Sequence, residues 1–124
     1  MARSTAYDRF PEHTVEISAE TYAVKVIWQG HLVADTQAAR VLHEARYPAA
    51  YYLPIADADP ALLSKTDHST HCPFKGDASY YSLVADGVRD ENAVWVYEDP
   101  FDQVEAIRDH VSFYPDRVTI EADR

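Results

Sequence analysis

The side chain with the clearest chemical potential is the single cysteine, Cys72, which lies within the segment Thr70–Gly76. Lys75 follows it three residues later, and a neighbouring ammonium group stabilises a thiolate and makes it nucleophilic. His68 or His71 is placed to act as the base for such a thiol. The alternative is that Cys72 only fills space, because free cysteine is among the most buried residue types. Cys72 and Lys75 are therefore candidate catalytic residues of a thiol-dependent enzyme or redox protein.

A metal site in the same segment is disfavoured by its ligand count. Structural zinc needs four ligands, whereas His71 and Cys72 are adjacent and hard to turn onto one ion. The carboxylates that could hold magnesium have no recognisable loop spacing; they are Asp57, Asp59 and Asp67. We therefore predict no metal ligands and no cofactor.

Aromatic residues suggest a different kind of site. Several of them lie on predicted strands that flank the Thr70–Gly76 loop: Tyr52, Tyr80, Tyr81, Trp95 and Tyr97. Glu44 and Lys75 would add opposite charges at the mouth of a recess between them. An aromatic-lined recess with a few convergent polar groups is the usual form of a small-molecule site. The alternative is an ordinary β core, in which such rings reach a partner or water with their polar ends.

Charge and composition exclude several classes of function. The net charge is −10 over 124 residues and the eleven basic residues are scattered, so the basic stripe of a nucleic-acid binder is missing. An anionic membrane surface is disfavoured for the same reason. We predict neither nucleic-acid nor membrane binding, and the oligomeric state stays open. The start has no apolar signal core, and one cysteine allows no internal disulfide; both favour the cytoplasm.

The elements that must position these residues are mostly strands. Residues 1–12 are interpreted as a mobile N-terminal lead-in and residues 13–124 as a single domain. The clearest hairpin is Tyr22–Thr36, with its turn at Gln29-Gly30. Further strands are predicted at Ala49–Ile55, Ser79–Asp86, Ala93–Tyr97 and Val118–Glu121. Lys65–Gly76 is predicted to be a polar loop, and Asp102–His110 a helix with Val104 and Ile107 on its apolar face.

Residues 37–46 are ambiguous. Asp35 or Thr36 would cap a helix whose apolar residues have helical spacing. An extended interpretation is also possible, with Val41 and Leu42 on opposite faces of a strand. Local propensity favours the helix.

Three motifs carry a resemblance to a known family. They are Tyr51-Tyr52-Leu53-Pro54, the Thr70–Gly76 segment, and Ala93-Val94-Trp95-Val96-Tyr97. With Glu44 before them, Asp57 after the first motif and Phe113-Tyr114 after the last, they resemble the family named domain of unknown function 427. The resemblance covers about Ala23 to the C-terminus. It departs at Ile55-Ala56, where family members often carry arginine.

The resemblance implies a mainly β (β-rich α+β) fold: a small antiparallel sheet architecture of the β-tent or Mss4-like kind, with one or two short helices. It also implies an extended chain over residues 38–46. A nucleotidyltransferase label is attached to the family, but no phosphate-binding Gly-x-x-x-x-Gly-Lys loop accompanies Lys75-Gly76.

Together these observations predict a domain that binds a small polar or anionic ligand beside the Thr70–Gly76 loop. The predicted ligand-binding residues include family-motif positions as well as the aromatic and charged ones: Glu44, Tyr52, Asp57, Thr70, Lys75, Tyr81, Trp95 and Tyr97. The alternatives are a Cys72-dependent enzyme or redox protein, a nucleotidyltransferase, and a non-catalytic interaction module. The sequence does not decide whether the protein is an enzyme.

Overall fold

The structure, a computed structural model, describes residues 2–124. Within that range ten strands form two antiparallel sheets. The strands are β1 (Val15–Ala19), β2 (Val24–Trp28), β3 (His31–Thr36), β4 (Arg40–Glu44), β5 (Ala50–Pro54), β6 (Leu63–Cys72), β7 (Gly76–Ala85), β8 (Val88–Val96), β9 (His110–Phe113) and β10 (Thr119–Ala122). The helical segments are short: α1 (Ala6–Arg9) and 3₁₀ turns at Ile55–Asp57, Pro60–Leu62 and Asp102–Ile107. The predicted β-rich antiparallel fold is confirmed. No helix in the described range is long and apolar enough to cross a membrane.

The larger sheet separates two apolar clusters. Its seven strands run in the order β1-β4-β5-β9-β8-β7-β6, and the smaller sheet runs β10-β2-β3. The main core lies between the sheets, where Val26 of β2 belongs to the same cluster as Leu53 of β5 and Val94 of β8. A second cluster includes Tyr52, Tyr97 and Ile107. Because successive side chains on a strand point to opposite faces, neighbouring β5 residues Tyr52 and Leu53 serve different clusters.

The two short hairpin turns follow directly from local sequence. Gln29 and Gly30 have φ values of 50° and 76°, and Asp86 and Gly87 have 54° and 77°. Two-residue hairpin loops favour positive φ at both positions, where Gly and Asp or Asn are tolerated best. The predicted Tyr22–Thr36 hairpin is confirmed as β2 and β3.

The ambiguous segment 37–46 contains a strand, so the interpretation favoured by local propensity is wrong. Arg40–Glu44 forms β4, which pairs with β1 on one side and β5 on the other. Val41 and Leu42 are both buried, because the strand is covered on both faces. Tertiary pairing has overridden a modest helix preference, as the family resemblance implied.

Two other predictions of secondary structure are also wrong. Leu63–Cys72 is the ten-residue edge strand β6 rather than a polar loop, and only a turn at residues 73–75 remains. Most of its side chains are exposed, so it lacks the apolar alternation that identifies a strand, as is common for edge strands. Asp102–His110 is a 3₁₀ segment ending at Ile107 and interrupted at Val104 (φ −125°, ψ 30°). Val104 and Ile107 nevertheless pack into the second cluster.

Candidate functional site

The candidate site is organised around a chain of three charged or titratable side chains. Glu44, the last residue of β4, accepts a hydrogen bond from the Lys75 ammonium at 2.6 Å through its Oε1. Its other oxygen lies 2.7 Å from Nε2 of His13. Glu44 and Lys75 are only 13% and 14% exposed. The three groups therefore form one connected, largely buried polar cluster.

Lys75 is held in place by the turn that joins β6 to β7. Its backbone N–H donates to the Cys72 carbonyl at 3.3 Å, and its carbonyl accepts from the N–H of Phe101 at 3.0 Å. The next residue, Gly76, has φ of +115° and backbone atoms of residues 99–101 lie 3.5 Å from where a Cβ would stand. Glycine adopts such a φ without steric cost. Gly76 therefore permits the turn conformation in which the Lys75 side chain contacts Glu44 at the end of β4.

Next to this cluster lies a recess of about 200 Å³, lined by aromatic rings and by the Glu44–Lys75 pair. Its walls are formed by Leu42, Glu44, Pro48, Ala50, Tyr52, Lys75, Tyr80, Trp95, Tyr97 and Tyr114. Five of the residues predicted from the sequence therefore come together here: Glu44, Tyr52, Lys75, Trp95 and Tyr97.

The polar groups of the recess retain unused hydrogen-bond donors. An ammonium carries three N–H donors, and within residues 2–124 only Glu44 accepts from Lys75. The Tyr52 hydroxyl accepts from the Trp95 indole N–H at 3.0 Å, which leaves its own proton available. Tyr97, which is 5% exposed, also lines the recess. The recess is therefore rich in donors.

The pKa shifts of the pair show that both members are charged at neutral pH. Burial acts to raise the pKa of Glu44, but hydrogen bonds from Lys75 and His13 outweigh it and hold that pKa below its ordinary value. Burial acts to lower the pKa of Lys75, whereas Tyr52 and the Glu44 carboxylate together raise it above its ordinary value. The contact between Lys75 and Glu44 favours the charged form of both side chains.

The tyrosines, in contrast, stay neutral and can donate. Burial raises the pKa of Tyr97, and neighbouring Tyr52 and Cys72 raise it further. Burial also raises the pKa of Tyr52 against the opposing effect of Lys75 and the Trp95 hydrogen bond. A phenol with a pKa above its ordinary value of about 10 keeps its proton at pH 7.

The N-terminal segment, predicted to be a mobile lead-in, makes specific contacts with the Lys75 turn. The Ser4 hydroxyl donates to the Pro73 carbonyl, and the Tyr7 hydroxyl donates to the Phe74 carbonyl at 2.7 Å. The His13 ring stacks on Phe74 with centroids 3.8 Å apart. Burial, with Cys72 and Glu44, raises the pKa of Tyr7 to about 12. Ser4, Tyr7 and His13 therefore pack against the turn that carries Lys75.

Two further predicted residues border the site without lining the recess. Thr70, exposed on β6, shares a 2.9 Å hydrogen bond with the Tyr80 hydroxyl. Cys72 ends β6 as a free, half-buried thiol, and its charge when ionised acts on Lys75 and Tyr97. The thiol therefore lies close enough to influence the recess electrostatically.

Asp57 and Tyr81 lie elsewhere, so the structure does not bring them to the recess. Asp57 accepts a 2.7 Å hydrogen bond from Thr36. Tyr81 packs against the main core and under Lys65, whose Nζ is 5.3 Å from the ring centroid. Tyr81 alternates with Tyr80 along β7, and this period of two sends the neighbours to opposite faces.

The histidines considered as bases for Cys72 have other partners. His71 contacts Asp77 at 2.7 Å, and His68 lies against the Tyr80 ring with centroids 4.6 Å apart. Within residues 2–124, no group of three or more His, Cys, Asp or Glu side chains is arranged to hold a metal ion.

Sequence reasoning missed two residues of the site. One is His13, and nothing in its local sequence marks it as a partner of Glu44. Tyr114 lines the recess, with its ring centroid 4.7 Å from that of Trp95. Its place in the Phe113-Tyr114 family motif is the signal that could have identified it.

A protein-family model described as domain of unknown function (DUF427) matches residues 16–124. The chain belongs to the DUF427 family. No curated protein matches it. The short label of the DUF427 model refers to nucleotidyl transfer. The matched region contains Glu44, Lys75 and every residue that lines the recess, whereas His13 and Tyr7 precede it. The β-tent relationship implied by the sequence resemblance stays a prediction.

Proposed function

We propose that this DUF427 domain binds a small, acceptor-rich polar or anionic ligand in the recess between Glu44, Lys75 and Trp95. The observation that carries the proposal is the Lys75 ammonium, which is 14% exposed yet uses one of its three donors on the protein. Buried polar groups are normally satisfied by the protein or by ordered water, and an acceptor-rich ligand can take the place of that water. The unused donors of Lys75 therefore favour an acceptor in the recess.

The tyrosine hydroxyls favour the same polarity of ligand. Tyr52 and Tyr97 line the recess together with Lys75, and each phenol carries one O–H donor. The single carboxylate of the wall, Glu44, already receives hydrogen bonds from Lys75 and contacts His13 on its other oxygen. The wall thus supplies donors, and the ligand must supply oxygens of the carboxylate, carbonyl or phosphate kind.

The aromatic residues favour a ligand with a flat or apolar part. Trp95 and Tyr52 are held in a T-shaped arrangement with centroids 6.4 Å apart, and the Tyr114 ring centroid lies 4.7 Å from that of Trp95. Such rings provide large contact surfaces at low conformational-entropy cost. They therefore suit the non-polar portion of the same molecule.

The nucleotidyl-transfer label receives less support from the geometry. The recess volume of about 200 Å³ is below the roughly 300–1,000 Å³ of sites for drug-sized molecules. A nucleoside triphosphate is at least as large as a drug-sized molecule. Glu44 is the only carboxylate in its wall, whereas phosphoryl-transfer sites combine a phosphate cradle with carboxylates for magnesium. Binding of a small acid is the better-supported function.

The decisive experiment is a titration by nuclear magnetic resonance of the wild-type protein with propionate, benzoate and phosphate. Lys75→Met and Tyr97→Phe are expected to weaken binding at least tenfold and about threefold, because a charged and a neutral hydrogen bond are lost. The matched controls are Lys65→Met and Tyr81→Phe. Lys65 forms an exposed pair with Glu98, and Tyr81 faces the main core. Binding that is unchanged in Lys75→Met would overturn the proposal.

A further inference from the structure

A second cavity adjoins the recess. It is an open groove of about 520 Å³, whose lining residues are mostly apolar. The residues that line it include Tyr51, Phe113, Pro115, Ile120 and Ala122, with Arg124 as its charged member. It lies between the start of β5, the end of β9 and the edge strand β10. Nothing in the proposed function uses it.

The groove and the recess share part of their walls. Pro48, Ala50 and Trp95 line both cavities. Tyr52 faces the recess and its neighbour Tyr51 faces the groove, as expected of successive residues on a strand. The two cavities therefore lie on opposite faces of the larger sheet and meet at one place.

That place is where β5 and β9 separate. The two strands are paired at Leu53 with Val111 and at Pro54 with His110. Nearer the start of β5, no further backbone pairing of β5 with β9 is found in residues 2–124. There the Ser112 hydroxyl donates a hydrogen bond to the Tyr51 carbonyl at 2.7 Å. Ala50 then pairs only with Leu42 of β4. The strand pair is therefore open at this end, where Ala50, a residue with a small side chain, lines both cavities.

Trp95 is the largest residue that lines both cavities. It lies on the recess face of β8, since it pairs with Ser112 of β9 and with Tyr80 of β7. Its indole N–H donates to Tyr52 within the recess, while the ring also lines the groove. A ligand that contacts both sides of Trp95 would occupy the recess and the groove together.

We propose that the ligand is an amphiphilic carboxylic acid, with its carboxylate in the recess and an unbranched apolar chain in the groove. This inference rests on the proposed function, because the recess supplies the donors for the carboxylate. The recess alone is smaller than a typical ligand site, whereas the two cavities together fall within the usual range of about 300–1,000 Å³.

The test is a chain-length series from propionate to octanoate, followed through the indole N–H signal of Trp95. Trp28, which is 3% exposed in the main core, supplies an internal reference signal. Affinity is expected to rise about threefold to fourfold per methylene, the value for transferring a CH₂ group out of water. This series uses only the wild-type protein and therefore does not depend on the folding of any variant.

Ala49→Trp is the variant that should block the groove with a large side chain. Ala49 is exposed in the loop before β5 and lines the groove without touching the recess. The variant should lower octanoate affinity at least tenfold and leave propionate affinity unchanged. Ala61→Trp, at another exposed alanine, is the control and should change neither.

The outcomes separate this inference from the proposed function. Binding of propionate without any gain along the series would overturn the amphiphilic ligand and keep the recess as a site for small acids. Failure of all the acids to bind would overturn both. Octanoate binding that survives Lys75→Met would also overturn the inference, because the groove would then act alone. A dimer that Ala49→Trp disrupts, without chain-length dependence, would assign the groove to a second copy of the chain.

Discussion

Glu44 and Lys75 are 31 residues apart in the sequence, yet their charged atoms lie 2.6 Å apart in the fold. The contact joins the end of β4 to the turn between β6 and β7. Strand β4 lies far from β6 and β7 in the strand order of the larger sheet. His13 extends the contact to the N-terminal segment. The two contacts of Glu44 thus connect three separate parts of the chain at the wall of the recess.

Removing the Glu44 charge should destabilise the protein. In Glu44→Gln, Lys75 keeps its charge in a largely buried position without a carboxylate partner, which is costly. We expect a loss of about 2 kcal/mol in the free energy of unfolding, below the roughly 3–5 kcal/mol of fully buried pairs. Urea denaturation measures it. Glu98→Gln, which breaks the exposed pair with Lys65, should cost less than about 1 kcal/mol, and equal losses would contradict the prediction.

The same pair predicts a specific pH dependence. The pKa of Glu44 is lowered by folding, so its contribution to stability is present above its ordinary pKa of about 4.3 and is lost as the pH falls through its folded-state value. Because the pKa of Lys75 is raised, its contribution is present below about 10.4 and is lost as the pH rises through its folded-state value. Urea midpoints from pH 3 to 7 should fall less on acidification in Glu44→Gln than in the wild type. Parallel curves would exclude Glu44 as a source of the acid sensitivity.

Cys72 is expected to react slowly in the folded protein. Its thiol is half-buried at the end of β6, and the nearby histidines contact Asp77 and Tyr80 rather than the thiol. Alkylation by iodoacetamide at pH 7.5 should be several-fold slower than in urea, since shielded thiols are inert. A native rate above that of the unfolded chain would instead support the Cys72-dependent enzyme or redox protein.

The N-terminal segment should contribute measurably to stability. Tyr7→Phe removes the hydroxyl that donates to the Phe74 carbonyl at 2.7 Å, and a hydrogen bond of this kind contributes about 1 kcal/mol. Tyr47→Phe is the control, because Tyr47 is 62% exposed. Thermal or urea unfolding compares the two. Identical stabilities would show that residues before β1 behave as the mobile lead-in expected from the sequence.

The sequence by itself determined the features that depend on a few neighbouring residues. Gln29-Gly30 and Asp86-Gly87 form hairpin turns because positive φ is a local preference of those residue types. Asp59 accepts a hydrogen bond from the Ala61 N–H with Pro60 between them, as the capping pattern predicts. The β-rich class followed from composition and from the family motifs, which also pointed to Glu44, Lys75 and Trp95.

Tertiary structure decided whatever depends on a partner far along the chain. Arg40–Glu44 is a strand because β1 and β5 satisfy its backbone on both sides, and Leu63–Cys72 is a strand because β7 pairs with it despite its polar side chains. The Glu44 contact with His13 and the separation of Tyr81 from the recess likewise depend on how the sheets pack. Long-range pairing sets the hydrogen-bonding partners of each strand and the face of the sheet to which each side chain points. Short sequence patterns carry no information about that pairing.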